Sequence, residues 1–269
     1  MTTSTSVAGV RIDSVDLTSA VSLIESAIGT RTPMQVATVN LDFLVRAQGS
    51  AALRDVLAAS QLNVADGMPL VWLTRLAGHR LPGRAAGSDL VPMLMARLAA
   101  RSARVFLLGG EGAVAQEAAA RLVEAYPGLV VAGICEPPRT AIDRMPNRSI
   151  VRLIQLARPD VILVAFGNPK QEMWIARHRN DFPTSVSIGV GCTLDLIAGK
   201  SSRAPRWMRR VGLEWMFRLG QEPRRLFGRY VTDAIWLGWF AFQAARERFG
   251  GSTAKAGRSY LAGAANRGD

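Results

Sequence analysis

The feature that most constrains this chain is a regular alternation of two kinds of segment along its 269 residues. Short apolar runs rich in β-branched residues alternate with longer segments whose apolar residues recur at helical spacing. This alternation is typical of an α/β protein in which a largely parallel sheet is flanked by helices. The predicted strands are Gln35–Val39, Leu62–Ala65, Arg104–Leu108, Leu129–Ile134, Val161–Phe166 and Val186–Val190. The clearest predicted helices are Leu17–Ile28, Ser88–Ala100, Ala113–Ala125, Ile150–Ala157 and Lys170–Arg179.

Polar residues and glycines directly follow most of the predicted strands. In an open, Rossmann-like parallel sheet the ligand crevice lies beyond the carboxyl ends of the strands. We therefore expect these residues to form one active-site rim. They are Thr38 and Asn40 at the end of the first strand, Asp66 and Gly67 after the second, Gly109 to Gly112 after the third, Gly167 to Glu172 after the fifth, and Gly189 to Cys192 at the end of the sixth.

Four side chains on or near this rim could carry chemistry. Asp66 could act as a general base towards a substrate hydroxyl. The local sequence favours a second role, as the N-cap of the following helix, and the two roles can coexist. Lys170 and Gln171 begin a helix, where lysine could meet a phosphate and glutamine a sugar hydroxyl or base, although a polar first turn is also ordinary helix chemistry. Asp195 lies between apolar neighbours and fits a structural aspartate and a ligand contact equally well.

The pattern Gly110-x-Gly112-x-x-Ala115 follows a predicted strand and opens a predicted helix, as in a dinucleotide fingerprint. Its backbone amides could hold a diphosphate, or the turn could be purely structural. A nicotinamide cofactor also requires an acidic residue at the end of the next strand, where only Glu136 is available, beyond a glycine and a cysteine. This position of Glu136 does not match the full NAD pattern, but the glycine pattern keeps a NAD-type oxidoreductase as an alternative function.

The positive charge of the chain is concentrated near the C-terminus. The net charge is +12, and 14 basic against 5 acidic residues from Lys200 onward contribute +9 of it. Arginines there alternate with tryptophan and other aromatic residues, which is typical of helices that lie on a membrane surface. Nucleic-acid binding uses the same residue types and is a second alternative. The candidates for binding an acceptor diphosphate or the membrane are Arg203, Arg206, Arg209, Arg210, Arg218, Arg224 and Arg225.

These signals divide the chain into three parts. Residues 1–199 are predicted to form the α/β catalytic domain, residues 200–249 a basic helical appendage, and residues 250–269 a disordered tail. Pro205 and Pro223 are predicted to open two successive helices in the appendage. The apolar stretch Ala234 to Ala245 is shorter than the ~20 residues that span a bilayer, so it can lie on a membrane or pack on the domain.

The chain lacks several other sequence signals. The N-terminus lacks the charged and apolar regions of a signal peptide, which predicts a cytoplasmic protein with reduced Cys135 and Cys192. His79 and His178 lack partners at metal-ligand spacing, so no zinc site is expected.

Eight motifs occur in an order that resembles the WecG/TagA/CpsF glycosyltransferases. The resemblance runs from about Val10 to Tyr230. The motifs are Thr38-x-Asn40, Asp66-Gly67, GRAAGSDL from Gly83, LLGGEGAVA from Leu107, YPGL from Tyr126, PKQE from Pro169, GVGCTLDLIAGKSSRAPRW from Gly189 and GLEWMFRLGQEPRR from Gly212.

The resemblance implies an inverting hexosyltransferase that acts on the cytoplasmic face of the cell membrane. Such enzymes move N-acetylmannosamine, its uronic acid or glucose from a UDP-sugar to a polyprenyl-diphosphate-linked saccharide during assembly of cell-surface polysaccharides. The family lacks the metal-binding DxD motif, so neither a metal nor another cofactor is expected, and nucleic acid is not an expected partner. The arginine-rich appendage is expected to close the site and dock on the membrane.

The resemblance also implies roles for particular residues. Asp66 matches the proposed general base, and Asp195 matches an aspartate of a family segment near the site. The chain departs from the family in two places, at Cys192 to Leu194 and at ICEPPRTAI from Ile134, so its sugar contacts there are expected to differ. The residues that match those lining the substrate pocket are Thr38, Asn40, Arg84 and Gln171.

Overall fold

The computed structural model describes residues 3–265, and for Arg210 and residues 249–265 it describes the backbone alone. An antiparallel hairpin, β1 (Ser4–Val7) and β2 (Val10–Asp13), precedes a six-stranded sheet in which every pairing is parallel. The order in the sheet is β4-β3-β8-β7-β5-β6, which confirms the predicted α/β, Rossmann-like class. The six strands are β3 (Met34–Val39), β4 (Leu62–Ala65), β5 (Arg104–Gly109), β6 (Val130–Cys135), β7 (Val161–Ala165) and β8 (Val186–Gly189).

Helices cover both faces of the sheet. Successive strand residues such as Val36 and Ala37 enter different apolar clusters, because side chains alternate across a pleated strand. Helices α1, α5, α6 and α9 pack on one face, and α2, α3, α4, α7 and α8 pack on the other. Residues 1–199, which are predicted to be the catalytic domain and are given that name below, contain nine α-helices within the described part of the chain. They are α1 (Leu17–Gly29), α2 (Leu41–Gln48), α3 (Ala51–Ala59), α4 (Met68–Leu76), α5 (Gly87–Ala99), α6 (Val114–Ala125), α7 (Asn147–Ala157), α8 (Lys170–His178) and α9 (Thr193–Ile197).

The N-terminal hairpin is absent from the sequence-based prediction. Its two-residue turn, Ala8 and Gly9, has φ values of 51° and 78°, the left-handed conformation that tight hairpins use. The hairpin is joined to the sheet because the Asp13 carboxylate accepts a hydrogen bond from the Asn63 backbone N–H at 2.7 Å.

The sheet has its topological switch point above β3, β8 and β7. The chain passes from β3 outward to β4 on one side and from β5 outward to β6 on the other, and β7 and β8 fill the space between. Such a point opens a crevice at the carboxyl ends of the strands. The strand ends that carry Thr38, Gly189 and Gly167 therefore meet at this crevice.

The appendage contains three helices rather than the predicted two: α10 (Arg206–Val211), α11 (Glu214–Gln221) and α12 (Pro223–Ala265). The additional break occurs at Gly212, whose φ of 82° ends α10 in a left-handed turn. Arg218 therefore lies on α11 and not on the helix that follows Pro205. Helix α12 extends to Ala265 and so includes residues 250–265, where the sequence predicts disorder; residues 266–269 lie outside the described part of the chain.

Helix α12 is attached to the catalytic domain through one of its faces. Phe240 and Ala244 are buried, and Phe240 joins the apolar cluster of α2 and α4. The stretch Ala234 to Ala245 thus packs on the domain. Among the described residues, no helix is long and apolar enough to cross a membrane.

Candidate functional site

Two adjoining cavities meet at Asp66. The first, the strand-end cavity, has a volume of about 190 Å³ and lies between the carboxyl ends of the strands and the appendage. The second, the appendage cavity, has a volume of about 460 Å³ and lies between α4 and the appendage. The residues that line both are Asn40, Asp66, Arg218, Arg229 and Tyr230.

The two cavities differ in chemistry. Thr38, Gln171 and Gly191 contribute polar groups to the strand-end cavity. Trp72 and Trp215 line the appendage cavity, which is mostly apolar. A larger cavity of about 1020 Å³ lies at the amino ends of β5 and β7, but its lining includes none of the predicted site residues. The cavities at Asp66 therefore form the candidate active site.

Asp66 is held at the cavity junction by its backbone. Its N–H donates to the Val39 carbonyl at 2.7 Å, which fixes it beside the end of β3. Gly67, with a φ of 109°, is the N-cap of α4, and no side chain caps that helix. The capping interpretation of Asp66 is therefore wrong, because the chain turns so sharply at Gly67 that the helix begins one residue later. The carboxylate remains available to a ligand.

Burial raises the pKa of Asp66 to about 6. The Arg218 and Arg84 guanidinium groups and the Gly87 backbone N–H lower the pKa, whereas Glu214 raises it, and the burial effect dominates. A carboxylate with this pKa is mostly ionised at pH 7 and is more basic than an exposed aspartate. These are the properties that a general base requires near neutral pH.

Arg84 and Arg218 approach each other beside Asp66 through Glu214. The Glu214 carboxylate accepts from Arg84 Nη1 at 3.4 Å and from Arg218 Nη2 at 3.0 Å. Arg218 also donates to the sulfur of Cys192 at 3.3 Å. Arg84 comes from the loop before α5, so this ion pair joins the catalytic domain to the appendage.

A second ionic cluster holds the appendage on α5. The Asp89 carboxylate lies 2.7 Å from Arg203 Nη2, 3.3 Å from Arg209 Nη1 and 3.7 Å from Arg84 Nη2. Arg203 and Arg209, which are predicted to bind a diphosphate or the membrane, both pair with Asp89. They therefore also attach the appendage to α5, a role that the local sequence does not show because Asp89 is 114 to 120 residues away. Binding of a diphosphate or the membrane by these two arginines stays a prediction.

The other candidate arginines have different environments. Arg225 lines the strand-end cavity and pairs with Glu222. Arg206 and Arg224 are exposed on the appendage. The side chain of Arg210 lies outside the described part of the structure.

Gln171 is a structural bridge between strand ends as well as a cavity residue. Its Oε1 accepts from the backbone N–H groups of Gly167 and Gly191, both at 3.1 Å, and so ties the end of β7 to the end of β8. Its Nε2 donates to the Glu172 carboxyl at 2.7 Å. A Cβ at Gly189 would overlap Glu172, so this position requires glycine. The expected sugar contact from Gln171 would compete with these bonds.

Thr38 and Asn40 also have internal partners. The Thr38 hydroxyl donates to the Gly189 carbonyl at 3.0 Å, and the Asn40 side-chain oxygen caps α2. Both side chains line the strand-end cavity, as the sequence predicts.

The glycine turn at the start of α6 is filled by groups of the protein itself. The Glu136 carboxylate accepts from the backbone N–H groups of Ala115 at 2.8 Å and Ala113 at 3.3 Å. Lys200 donates to the carbonyl of Gly112 at 2.7 Å. A diphosphate at Gly110 to Gly112, the prediction from the glycine pattern, would have to displace Glu136.

Lys170 and Asp195 do not line either cavity. Lys170 Nζ lies 5.2 Å from the centre of the Phe166 ring, and burial lowers its pKa. Burial raises the pKa of Asp195, while Arg225 and Lys200 lower it. The structure therefore places these two residues beside the site rather than within it. Among the described residues, no group of three or more His, Cys, Asp or Glu side chains could hold a metal ion.

The contact between Gln171 and Glu172 can be tested through the pH dependence of protein stability. It is fully buried, and burial raises its pKa from 4.5 to about 8. Between these pH values the native state holds a proton that the unfolded chain releases, so this group makes the protein less stable as pH rises, by at most ~1.4 kcal/mol per pH unit. Urea unfolding at several pH values should show that Glu172→Gln removes this slope. Parallel pH dependence in the variant and wild type would contradict the assignment.

Three site residues were missed by the sequence-based prediction: Glu214, Arg229 and Tyr230. Glu214 stands in the GLEW segment and carried a signal only through its spacing of four residues from Arg218. Arg229 and Tyr230 face both cavities only because α12 folds back over the strand ends.

Comparison with known proteins is consistent with this architecture. Residues 5–251 match the model of the glycosyl transferase WecG/TagA/CpsF family. A Bacillus subtilis N-acetylglucosaminyldiphosphoundecaprenol N-acetyl-β-D-mannosaminyltransferase is 34% identical over 71% of this chain and 72% of its own length. A protein of the same name from Bacillus spizizenii is 31% identical over 84% of this chain and 89% of its own length. One from Staphylococcus aureus is 30% identical over 75% of this chain and 77% of its own length. The chain therefore belongs to the WecG/TagA/CpsF family of glycosyltransferases.

Proposed function

We propose that this protein is an inverting hexosyltransferase that moves N-acetylmannosamine from a UDP-sugar to a polyprenyl-diphosphate-linked N-acetylglucosamine. The observation that carries the proposal is the position of Asp66 where the two cavities meet. The relatives are named for the transfer of N-acetylmannosamine to such an acceptor, which supports the choice of sugar. The uronic acid of N-acetylmannosamine and glucose are the other donors to test.

The two cavities suggest how the substrates approach Asp66. The sugar of the donor would occupy the polar strand-end cavity, and the acceptor would enter through the more apolar appendage cavity. Asp66 accepts the proton of the acceptor hydroxyl as that oxygen attacks the anomeric carbon. The bond between this carbon and the diphosphate breaks on the opposite face, and UDP leaves with the electron pair. Attack opposite the leaving group inverts the anomeric configuration.

The leaving diphosphate needs positive charge. Arg218, Arg225 and Arg229 line the strand-end cavity and could stabilise it without a metal ion. Closure by the appendage excludes water, which strengthens such interactions. We therefore propose that neither a metal nor another cofactor is required.

The outer face of α12 suggests how the enzyme reaches a lipid-linked substrate. Large apolar side chains lie on this face at helical spacing, opposite the face that packs on the domain. An apolar patch of this kind marks a contact with lipid or with another protein, and the exposed arginines beside it favour an anionic membrane, here the inner face of the cell membrane. The face, called the outer α12 face below, comprises Phe227, Val231, Ile235, Trp239 and Phe242.

A panel of donors tests the proposed reaction. Full-length protein, a polyprenyl-diphosphate-linked N-acetylglucosamine and one of several UDP-sugars should be incubated and the lipid products measured by mass spectrometry. We expect a product one N-acetylhexosamine heavier with UDP-N-acetylmannosamine, in the presence of a metal chelator. Product only from UDP-glucose or the uronic acid donor would change the proposed sugar, and NAD binding without transfer would favour the oxidoreductase alternative.

A further inference from the structure

The contact between Glu214 and two arginines has a geometry that a surface ion pair lacks. Each oxygen of the Glu214 carboxylate faces a different guanidinium, Arg84 on one side and Arg218 on the other. The three side chains are 16%, 19% and 35% exposed, so the pairs are shielded from water more than most surface pairs. All three line the appendage cavity together with Asp66.

Two guanidinium groups that converge on one point repel each other unless an anion lies between them. Glu214 supplies that anion from the first residue of α11, four residues before Arg218. Arg84 is 130 residues away in sequence and belongs to the catalytic domain. The bridge therefore forms only when the appendage is seated on the domain.

We propose that Glu214 is a positioning residue for the transfer reaction, holding Arg84 and Arg218 side by side next to Asp66 so that the charged site is complete only in the closed arrangement. This proposal rests on the proposed function, in which Asp66 is the base. The carboxylate has a second consequence, because its negative charge partly offsets the two guanidinium groups and keeps Asp66 basic.

The charged groups around Asp66 come from several elements. Arg84 precedes α5, and Glu214 and Arg218 lie on α11. Asp42 on α2 and Asp233 on α12 also line the appendage cavity. Arg229 and Tyr230 on α12 line both cavities. Removing the charge of Glu214 leaves the cationic groups in excess, so Asp66 should lose its proton at lower pH and become a weaker base.

The test measures kcat and KM from pH 5 to pH 9 with UDP-N-acetylmannosamine and a polyprenyl-diphosphate-linked N-acetylglucosamine. In full-length Glu214→Gln we expect the acidic limb to move measurably to lower pH and kcat/KM at pH 7.5 to fall about tenfold or more. Glu214→Asp, which keeps the charge, should restore the position of the limb. Arg84→Gln should move the limb in the opposite direction, to higher pH.

The matched control is Glu25→Gln. Glu25 is 15% exposed and pairs with Arg97 at 2.6 Å, between α1 and α5, so it reproduces the burial and ion pairing of Glu214 outside both cavities. This variant should have wild-type kinetics. Opposite shifts in Glu214→Gln and Arg84→Gln cannot come from a general loss of folding, which thermal unfolding would report separately.

Wild-type kinetics and a wild-type acidic limb in folded Glu214→Gln would overturn the proposal for Glu214. The proposed function would still stand if Asp66→Asn were inactive. An active Asp66→Asn would show that Asp66 is not the general base, which would overturn both the proposed function and the role of Glu214.

Discussion

Replacement of Asp66 by asparagine should lower kcat by about 10²- to 10⁴-fold, the usual contribution of a positioned general base. The substitution keeps the size of the side chain but removes its negative charge and, with it, its ability to accept a proton. The backbone N–H of residue 66 still donates to Val39, so the local structure should be retained. KM for the UDP-sugar should change little, and initial rates at saturating donor and acceptor would measure both effects.

A second carboxylate allows a strict comparison. Burial also raises the pKa of Asp233 to about 6, and Asp233 lines the appendage cavity but not the strand-end cavity. A pH profile with an acidic limb near 6 therefore does not by itself distinguish the two groups. Asp233→Asn should retain most of the activity, because its carboxylate pairs with Arg229 and does not face the donor cavity. A large loss in Asp233→Asn together with an active Asp66→Asn would reverse the assignment.

The strand ends were predictable because the signals for them are local. Leu62–Ala65 has the same limits in the prediction and in the structure, since this short segment is followed directly by an aspartate and a glycine. The predicted rim followed from the general rule that parallel strands present their carboxyl ends at one edge. Thr38, Asn40, Asp66 and Gln171 are accordingly found around the strand-end cavity.

The hydrogen-bond and ion-pair partners of the predicted site residues were not predictable, because these partners are far away in sequence. Glu136 caps α6 from the end of β6, and Asp89 binds arginines of the appendage. A sequence pattern shows that a glycine turn or an arginine is present. It does not show whether another part of the chain already supplies its hydrogen-bond or ion-pair partner. The end of α10 at Gly212 was easier to predict from the sequence, because a glycine after a helical segment is a standard signal for the end of a helix.

The appendage is thus part of the candidate site. Arg218, Arg225 and Arg229 reach the strand-end cavity, while Arg203 and Arg209 attach the appendage to α5. The arginines of this segment thus have two roles within the protein, lining the cavity and attaching the appendage, that do not involve a membrane. The apolar residues of α12 are therefore the sharper test of membrane binding than its arginines.

Replacement of Phe227, Ile235 and Trp239 by glutamine should lower binding to anionic phospholipid vesicles by about 10²-fold or more. The three side chains are 62%, 70% and 50% exposed on the outer α12 face, and each could bury enough apolar area in the interface to contribute roughly 1–2 kcal/mol. Glutamine favours helix, so α12 should persist. Co-sedimentation with vesicles of phosphatidylglycerol and phosphatidylethanolamine measures the partition.

The matched control replaces by glutamine three comparably exposed apolar residues of the catalytic domain, Val123, Leu153 and Leu156, at 48%, 49% and 63% exposure. It should bind vesicles like the wild type. The α12 variant should also keep its activity on an acceptor dissolved in detergent and lose it on the same acceptor in vesicles, because only the second assay requires the enzyme to reach a bilayer. Unchanged vesicle binding, or equal losses in both assays, would show that the outer α12 face is not the membrane contact.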